Sequence, residues 1–481
     1  MSRMMKLLYV LPFAVGTVAC QRGAGSDDSA DNQARAVAAV TTGEFSPPQP
    51  GEPVLAQHPD KELRDILHAI DQQHLEATVQ TLVGFGTRHT LSSQTDPVRG
   101  IGAATRWVQQ QFQSYAAQSG GRMTVELQSF VQSPGPRIPA PTTITNVVAT
   151  LRGTTTPERV YVVSGHLDSR VTDILNAEAF APGADDDASG VALVLELARV
   201  MASHPTEATI VFTAVAGEEQ GLFGSAFQAA QYKAAGTDIQ GMFSDDIVGS
   251  STADDGTRDP FTIRLFTEGV PTAETANQAA IRRAVGGEVD GPSRELGRFV
   301  LSVAQNAETG MRIRHIYRRD RFLRGSDHNS YLAQGYTAAR FTEPNENFDH
   351  EHQDIRVENG VQIGDLIEFM DFAFLARVVK VNAAAMWALA QGPGTPKNVG
   401  ILTQALTNAT DLVWAANPEP DLDGYEVVWR ETTEADWTHA IPVGNVTSAS
   451  FPHFSKDNVF FGVRAVDKTG HYSPVAFPVP R

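Results

Sequence analysis

Cys20 is the chain's only thiol. One cysteine excludes an intramolecular disulfide and any metal site built from thiolates. Cations are scarce as well: 38 Lys and Arg stand against 56 Asp and Glu, a formal charge of −18. That balance argues against a nucleic-acid partner, whose phosphates need clustered Lys and Arg. Beyond the N-terminus no apolar run reaches membrane-spanning length. What is present, 42% apolar and 20% charged residues, is the composition of a soluble globular protein. At 481 residues the chain exceeds one ordinary domain.

The N-terminus carries Arg3 and Lys6, an apolar run over residues 7–19, then Cys20. Charged start, short apolar middle and small residues before a cut make the layout of a secretory signal over 1–20. Thr17-Val18-Ala19-Cys20 resembles a bacterial lipoprotein signal, in which the cysteine is lipidated; ordinary cleavage after Ala19 is the alternative. Export follows from both, to the cell envelope through a lipid anchor on Cys20 or to the periplasm or medium. Residues 21–58, rich in Gly, Ala, Ser, Asp and Pro, read as a flexible linker. Alternating helical and strand patterns over 59–390 indicate one α/β domain. Gln391-Gly392-Pro393-Gly394-Thr395-Pro396 marks a second linker, 391–397. The remainder, 398–481, holds short strands divided by Pro, Asp and Gly turns and reads as a small all-β sandwich. Its stretch 417–425 and Arg464-Ala465-Val466-Asp467 resemble a fibronectin type III module.

Polar clusters punctuate the α/β domain. Val160-Tyr161-Val162-Val163 runs into His166 and Asp168, and Ile210-Val211-Phe212 runs into Glu218 and Glu219. Between them lies Gly183-Ala184-Asp185-Asp186-Asp187-Ala188-Ser189-Gly190. Further on come Asp245-Asp246 and the loop Asp349-His350-Glu351-His352. Short apolar runs separated by a helix are expected as buried, mostly parallel strands, and ligand sites sit beyond the carboxyl ends of such strands. Imidazole and carboxylate suit zinc, and two zinc ions need a carboxylate between them, for which Asp186 is placed. Adjacent Glu218 and Glu219 point in different directions and can divide two tasks. Asp245 competes with Asp246 as a ligand, and His350 with His352. No candidate lies beyond Gln391, so the chemistry is expected to be independent of the β-module.

These elements, in this order, resemble the co-catalytic zinc aminopeptidases of peptidase family M28 over about residues 75–390. The resemblance implies a mixed, mostly parallel sheet flanked by helices and two zinc ions per chain. It assigns one ion to His166, Asp186 and Asp246, the other to Asp186, Glu219 and His350. Asp246 is favoured by Asp246-Ile247-Val248-Gly249, and His350 by Asp354 four residues later. Asp168 would orient His166, and Glu218 would be the general base. The family's oxyanion tyrosine is missing from the stretch 321–328, leaving Arg321 and Arg324 as candidates. The implied substrate is a peptide or protein N-terminus. Two alternatives are a glutaminyl cyclase-like enzyme of the same fold, and a non-catalytic surface-binding protein. Oligomeric state is not legible.

Overall fold

The β-branched run at 160–163 lies at the middle of an eight-stranded sheet. In the computed structural model, which describes residues 28–42 and 50–481, that sheet is built from β1 (Met123–Gln132), β2 (Thr142–Leu151), β3 (Thr156–His166) and β4 (Ala208–Val215). It continues with β5 (Asp238–Asp245), β6 (Thr262–Phe266), β7 (Arg312–Ile316) and β8 (Ala338–Thr342). Their spatial order is β1-β2-β4-β3-β5-β8-β6-β7. β3 runs parallel to β4 and β5, and β8 parallel to β5, while β1–β2, β2–β4 and β6–β8 are antiparallel. The sheet is therefore mixed, with parallel strands at its centre. Successive side chains of β3 divide between its faces, as strand geometry requires. Tyr161 and Val163 enter the larger core, Val160 and Val162 a smaller one with Tyr331 and Leu332.

Two helices position the site from the larger core. α1 (Ala188–Met201) is almost wholly buried and starts where the Asp-rich loop ends. Contrary to the sequence reading that no run beyond the N-terminus reaches membrane-spanning length, α2 (Phe372–Gln391) is long and apolar enough to cross a membrane, yet its burial makes it a core helix. Its Asn382 donates to Asp245 Oδ1 at 2.7 Å, and its Trp387 Nε1 donates to Asp60 Oδ2 at 2.9 Å.

C-terminal to α2 come two four-stranded sheets sharing one core of Leu412, Trp414, Val427, Trp429, Phe461 and Val463. One sheet recruits Glu52–Pro53 as its edge strand, paired with His439–Gly444. The reading of 21–58 as a flexible linker is corrected at that point: Asp28–Thr42 is helical, and residues 52–53 belong to the C-terminal sheet. Residues 1–50 and 51–481 form separate units; the signal read at 1–20, with Cys20, lies outside the described residues. The second linker is not free either. Buried Arg159 donates to Gly392 O at 2.6 Å, Gly394 N donates to Glu419 Oε1 at 2.7 Å, and Lys397 pairs with Asp238 at 2.8 Å. Hydrogen-bonding of a Gly-Pro segment by a buried arginine is a tertiary event with no local signature.

The β-module is tied to the α/β domain by buried charge. Arg430, fully buried in the module, pairs with Asp290 Oδ1 at 2.6 Å, and Arg298 reaches the same oxygen at 2.9 Å. Arg298 also touches Glu295, whose Oε2 accepts from Trp437 Nε1 of the module at 2.7 Å. Removing one member of a buried pair leaves uncompensated charge, which costs far more than an exposed pair is worth. The two parts are thus joined by a buried polar interface, although the module contributes none of the candidate ligands. Arg430→Met in the full chain should lower the unfolding free energy in urea by about 3 kcal/mol, the low end of the usual 3–5 because Arg298 remains. A loss below about 1 kcal/mol would place the pair with ordinary surface ion pairs.

Candidate metal centre

Three strand ends and two loops, the Asp-rich loop and the one carrying His352, meet beyond the carboxyl edge of the sheet. Their approach is closer than side chains permit: a Cβ on Gly165 would stand 2.3 Å from the Gly190 backbone. One on Gly190 would stand 2.1 Å from the Asp245 carbonyl. Glycine at these two positions lets β3, α1 and β5 converge.

The three aspartates of the loop divide their work. Asp187 caps α1 by accepting from Gly190 N at 2.9 Å, and its other oxygen accepts from His166 N at 2.8 Å. Asp185 accepts from Gly249 N at 2.7 Å, anchoring the turn after β5. Asp365 accepts the backbone N–H of Asp185 at 2.7 Å and of Asp186 at 2.8 Å. Only the carboxylate of Asp186 is left to face imidazoles, Oδ1 lying 2.9 Å from His166 Nε2 and Oδ2 2.7 Å from His352 Nε2. Burial opposes its charge, but His352 and His166 hold its carboxyl well below the usual range.

Two donor sets share that aspartate: His166, Asp186 and Asp246, and Asp186, Glu219 and His352. Within each set the ligand atoms lie within 4.8 Å of one another. Asp246 Oδ1 is 3.8 Å from His166 Nε2, and buried Arg340 holds it at 3.1 Å. Asp245 points to the other side of β5, onto Asn382, which decides between the neighbours. Glu219 presents Oε1 to His352 at 3.0 Å, and that oxygen is buried without a hydrogen-bond partner. Nitrogen and oxygen donors in triads about one shared carboxylate fit two zinc ions.

His350 is not in the centre. It stacks on Phe369 with ring centroids 3.6 Å apart. Phe348–His350 forms a turn of 3-10 helix, Glu351 is extended, and His352 takes a left-handed φ of 53°, which swings the later imidazole inward. The spacing to Asp354 favoured the wrong histidine because it carries no information about that backbone turn.

Asp168 also differs from expectation. His166 Nδ1 faces the Asp168 backbone carbonyl at 3.0 Å, whereas the nearest carboxylate oxygen is 3.8 Å away. The carboxylate instead accepts from Glu218 N at 3.2 Å, Glu219 N at 3.1 Å and Thr90 Oγ1 at 2.9 Å. It therefore fixes the Glu218–Glu219 corner. Glu218 belongs to neither donor set and is partly exposed. Its desolvated surroundings, with the charges of Asp246, Glu219 and Asp327, push its carboxyl well above the ordinary range.

Arg321 and Arg324 each pair with two carboxylates. Arg321 pairs with Asp320 and Glu346 at 3.1 Å each. Arg324 pairs with Glu346 at 2.7 Å and Glu351 at 3.2 Å. Both candidates are thus held by acidic side chains, and Arg321 Nη1 has no hydrogen-bond partner. Two arginines that sequence reasoning passed over do reach the ligands. Arg340 holds Asp246, and Arg170 Nε lies 2.8 Å from Glu219 Oε2. Nothing in their local sequence distinguishes them from surface cations.

Residues 146–359 match the family model described as "Peptidase family M28". A protein of Pyrenophora tritici-repentis named "Probable zinc metalloprotease" is 53% identical over 438 residues, covering 91% of this chain and 90% of its own. One of the same name from Pyricularia oryzae is 53% identical over 436 residues, covering 89% and 87%. Among solved structures, LapB from Legionella pneumophila aligns over 70% of this chain and 77% of its own, at 19% identity and a TM-score of 0.48.

Asp168→Asn tests the corner. An amide keeps one acceptor oxygen, so an NH₂ must face a backbone N–H of Glu218 or Glu219. The expected cost is about 1–3 kcal/mol in stability, with lower zinc affinity in the Glu219 set, read by urea unfolding and zinc titration. Unchanged values in both would mean that the corner is held by other contacts.

Proposed function

The chain belongs to peptidase family M28 and is a zinc metalloprotease, and from that premise we propose that it is an aminopeptidase removing N-terminal residues from peptides. The observation that carries this reading is Asp186, held between two imidazoles with one donor set on each side. His166, Asp186 and Asp246 would hold one zinc ion, and Asp186, Glu219 and His352 the other. Zinc so held supplies polarisation of the scissile carbonyl and a lowered pKa for the attacking water. Glu218 takes the proton from that water and returns it to the leaving amine nitrogen. Its raised carboxyl pKa suits both halves of the task, since the group must gain and lose a proton in one cycle. The surrounding carboxylates favour a substrate amine over an internal peptide segment, which restricts cleavage to chain ends. Two donor sets favour hydrolysis over a one-zinc aminoacyl cyclase.

We further propose export, with Cys20 as the site of lipid attachment, and a fibronectin type III-like character for the C-terminal module. Cys20→Ser should release the protein from membranes on fractionation, since multiple acyl chains are what hold such an anchor. Retention of the Ser variant would end the lipid reading.

The paired glutamates give the decisive test of the chemistry. Glu218→Ala should bind zinc as the wild type does yet lose about 10²–10⁴-fold in turnover on aminoacyl chromogenic substrates. Glu219→Ala removes a ligand oxygen and should make activity depend on added zinc. Zinc loss in the first variant and full retention in the second would reverse the assignment.

A further inference from the structure

The two donor sets differ in what stands behind each histidine. A neutral imidazole that offers its Nε2 lone pair to a metal carries its proton on Nδ1, so that nitrogen needs an acceptor. His166 has one, the Asp168 carbonyl at 3.0 Å. His352 has the opposite. Its Nδ1 lies 2.7 Å from Arg170 Nη2, and a guanidinium has donors only. With the proton on Nδ1, two N–H groups would point at each other across that distance, so Nε2 becomes available only as Arg170 draws back.

The same guanidinium also contacts the other unshared ligand. Arg170 Nε lies 2.8 Å from Glu219 Oε2, placing a permanent positive charge against the carboxylate whose other oxygen faces the centre. Arg340 does something similar to Asp246 with two differences. It is also bound to both oxygens of Asp320 at 3.1 Å, which share its charge, and it is fully buried and fixed. Arg170 touches one carboxylate, and its third contact is the Val171 carbonyl at 3.2 Å. Its side chain retains 18% exposure, giving it a route to solvent.

We propose that Arg170 makes the two zinc positions unequal, competing with the ion at Asp186, Glu219 and His352 so that this position is the weaker, exchangeable one. The inference rests on the two-zinc reading above. Arg170 takes the place of a cation among these ligands when zinc is scarce and withdraws as zinc enters, so occupancy of the second position follows free zinc concentration. Arg170 is on this account a positioning residue, acting through His352 and Glu219.

The test is zinc titration of the metal-free full chain against a competing chromophoric chelator, with calorimetry for stoichiometry. The wild type should bind two ions in separate steps. Arg170→Met keeps the aliphatic stem without the donors and should tighten the second step by about 10–100-fold, opposite in sign to the loss of that size that follows removal of a partner supporting a ligand, and leave the first unchanged. A second step unchanged or weakened would overturn the proposal, because Arg170 would then be steadying Glu219 for the metal. Should Arg170→Met fail to fold, Arg170→Lys carries the test. A lysine cannot span both Glu219 and His352, so a several-fold tightening is expected and an unchanged constant overturns the idea. Fewer than two ions in every protein would overturn the two-zinc reading along with it, whereas two ions without tightening would remove only the role of Arg170.

Discussion

A buried carboxylate is tolerable when its lone pairs are met, and the arrangement of the site follows from how that requirement is shared among Asp185, Asp186 and Asp187. Asp187 spends its oxygens on the amides of His166 and Gly190, and Asp185 on Gly249. Asp365 comes from far along the chain to bind the amides of Asp185 and Asp186. With the flanking carboxylates and backbone so engaged, the position of Asp186 is fixed without using its own oxygens. Those oxygens remain for the two imidazoles. The close contact of β3, α1 and β5 at Gly165 and Gly190 matters because it brings these amides within reach.

Arginine is the counterpart of this acidity. Fully buried Arg88 donates to the carbonyls of Leu167, Pro182 and Gly183, wiring the turn after β3 to the Asp-rich loop, and burial lowers its pKa to about 10. Arg340 and Arg170 each hold one carboxylate of the centre. Farther away, Arg298 and Arg430 join the α/β domain to the β-module across Asp290 and Glu295. Buried pairs of this kind add little net stability over an apolar interface, but separating them is expensive. The module is accordingly part of the same structural unit as the site, although it contributes no ligand.

Much of this was readable from residue order. Apolar runs located β3 and β4, because strands buried on both faces read as near-continuous apolar stretches rich in β-branched residues. The placement of His166, Glu218 and Glu219 beyond strand ends, with Asp186 in the loop between the two strands, followed from those runs. Asp246 over Asp245 came from resemblance, and strand alternation at the end of β5 gives the physical reason for it. The misreadings have a common origin. His350 was preferred to His352, Asp168 was given its carboxylate rather than its carbonyl as the partner of His166, and 21–58 was read as a flexible linker.

Sequence alone determined the chemistry available and its approximate position: which donor types exist, that a single cysteine cannot build a thiolate site, and which apolar runs bring the donors to one edge of a sheet. These depend on composition and on short-range periodicity, which local backbone geometry imposes. Tertiary structure decided which of two neighbours faces the centre when a loop separates them from a strand. A left-handed residue at His352, a carbonyl turned toward His166 and an arginine at position 170 each depend on contacts between segments far apart in the chain. A single φ value redirects a side chain entirely, and no local pattern of residues encodes it.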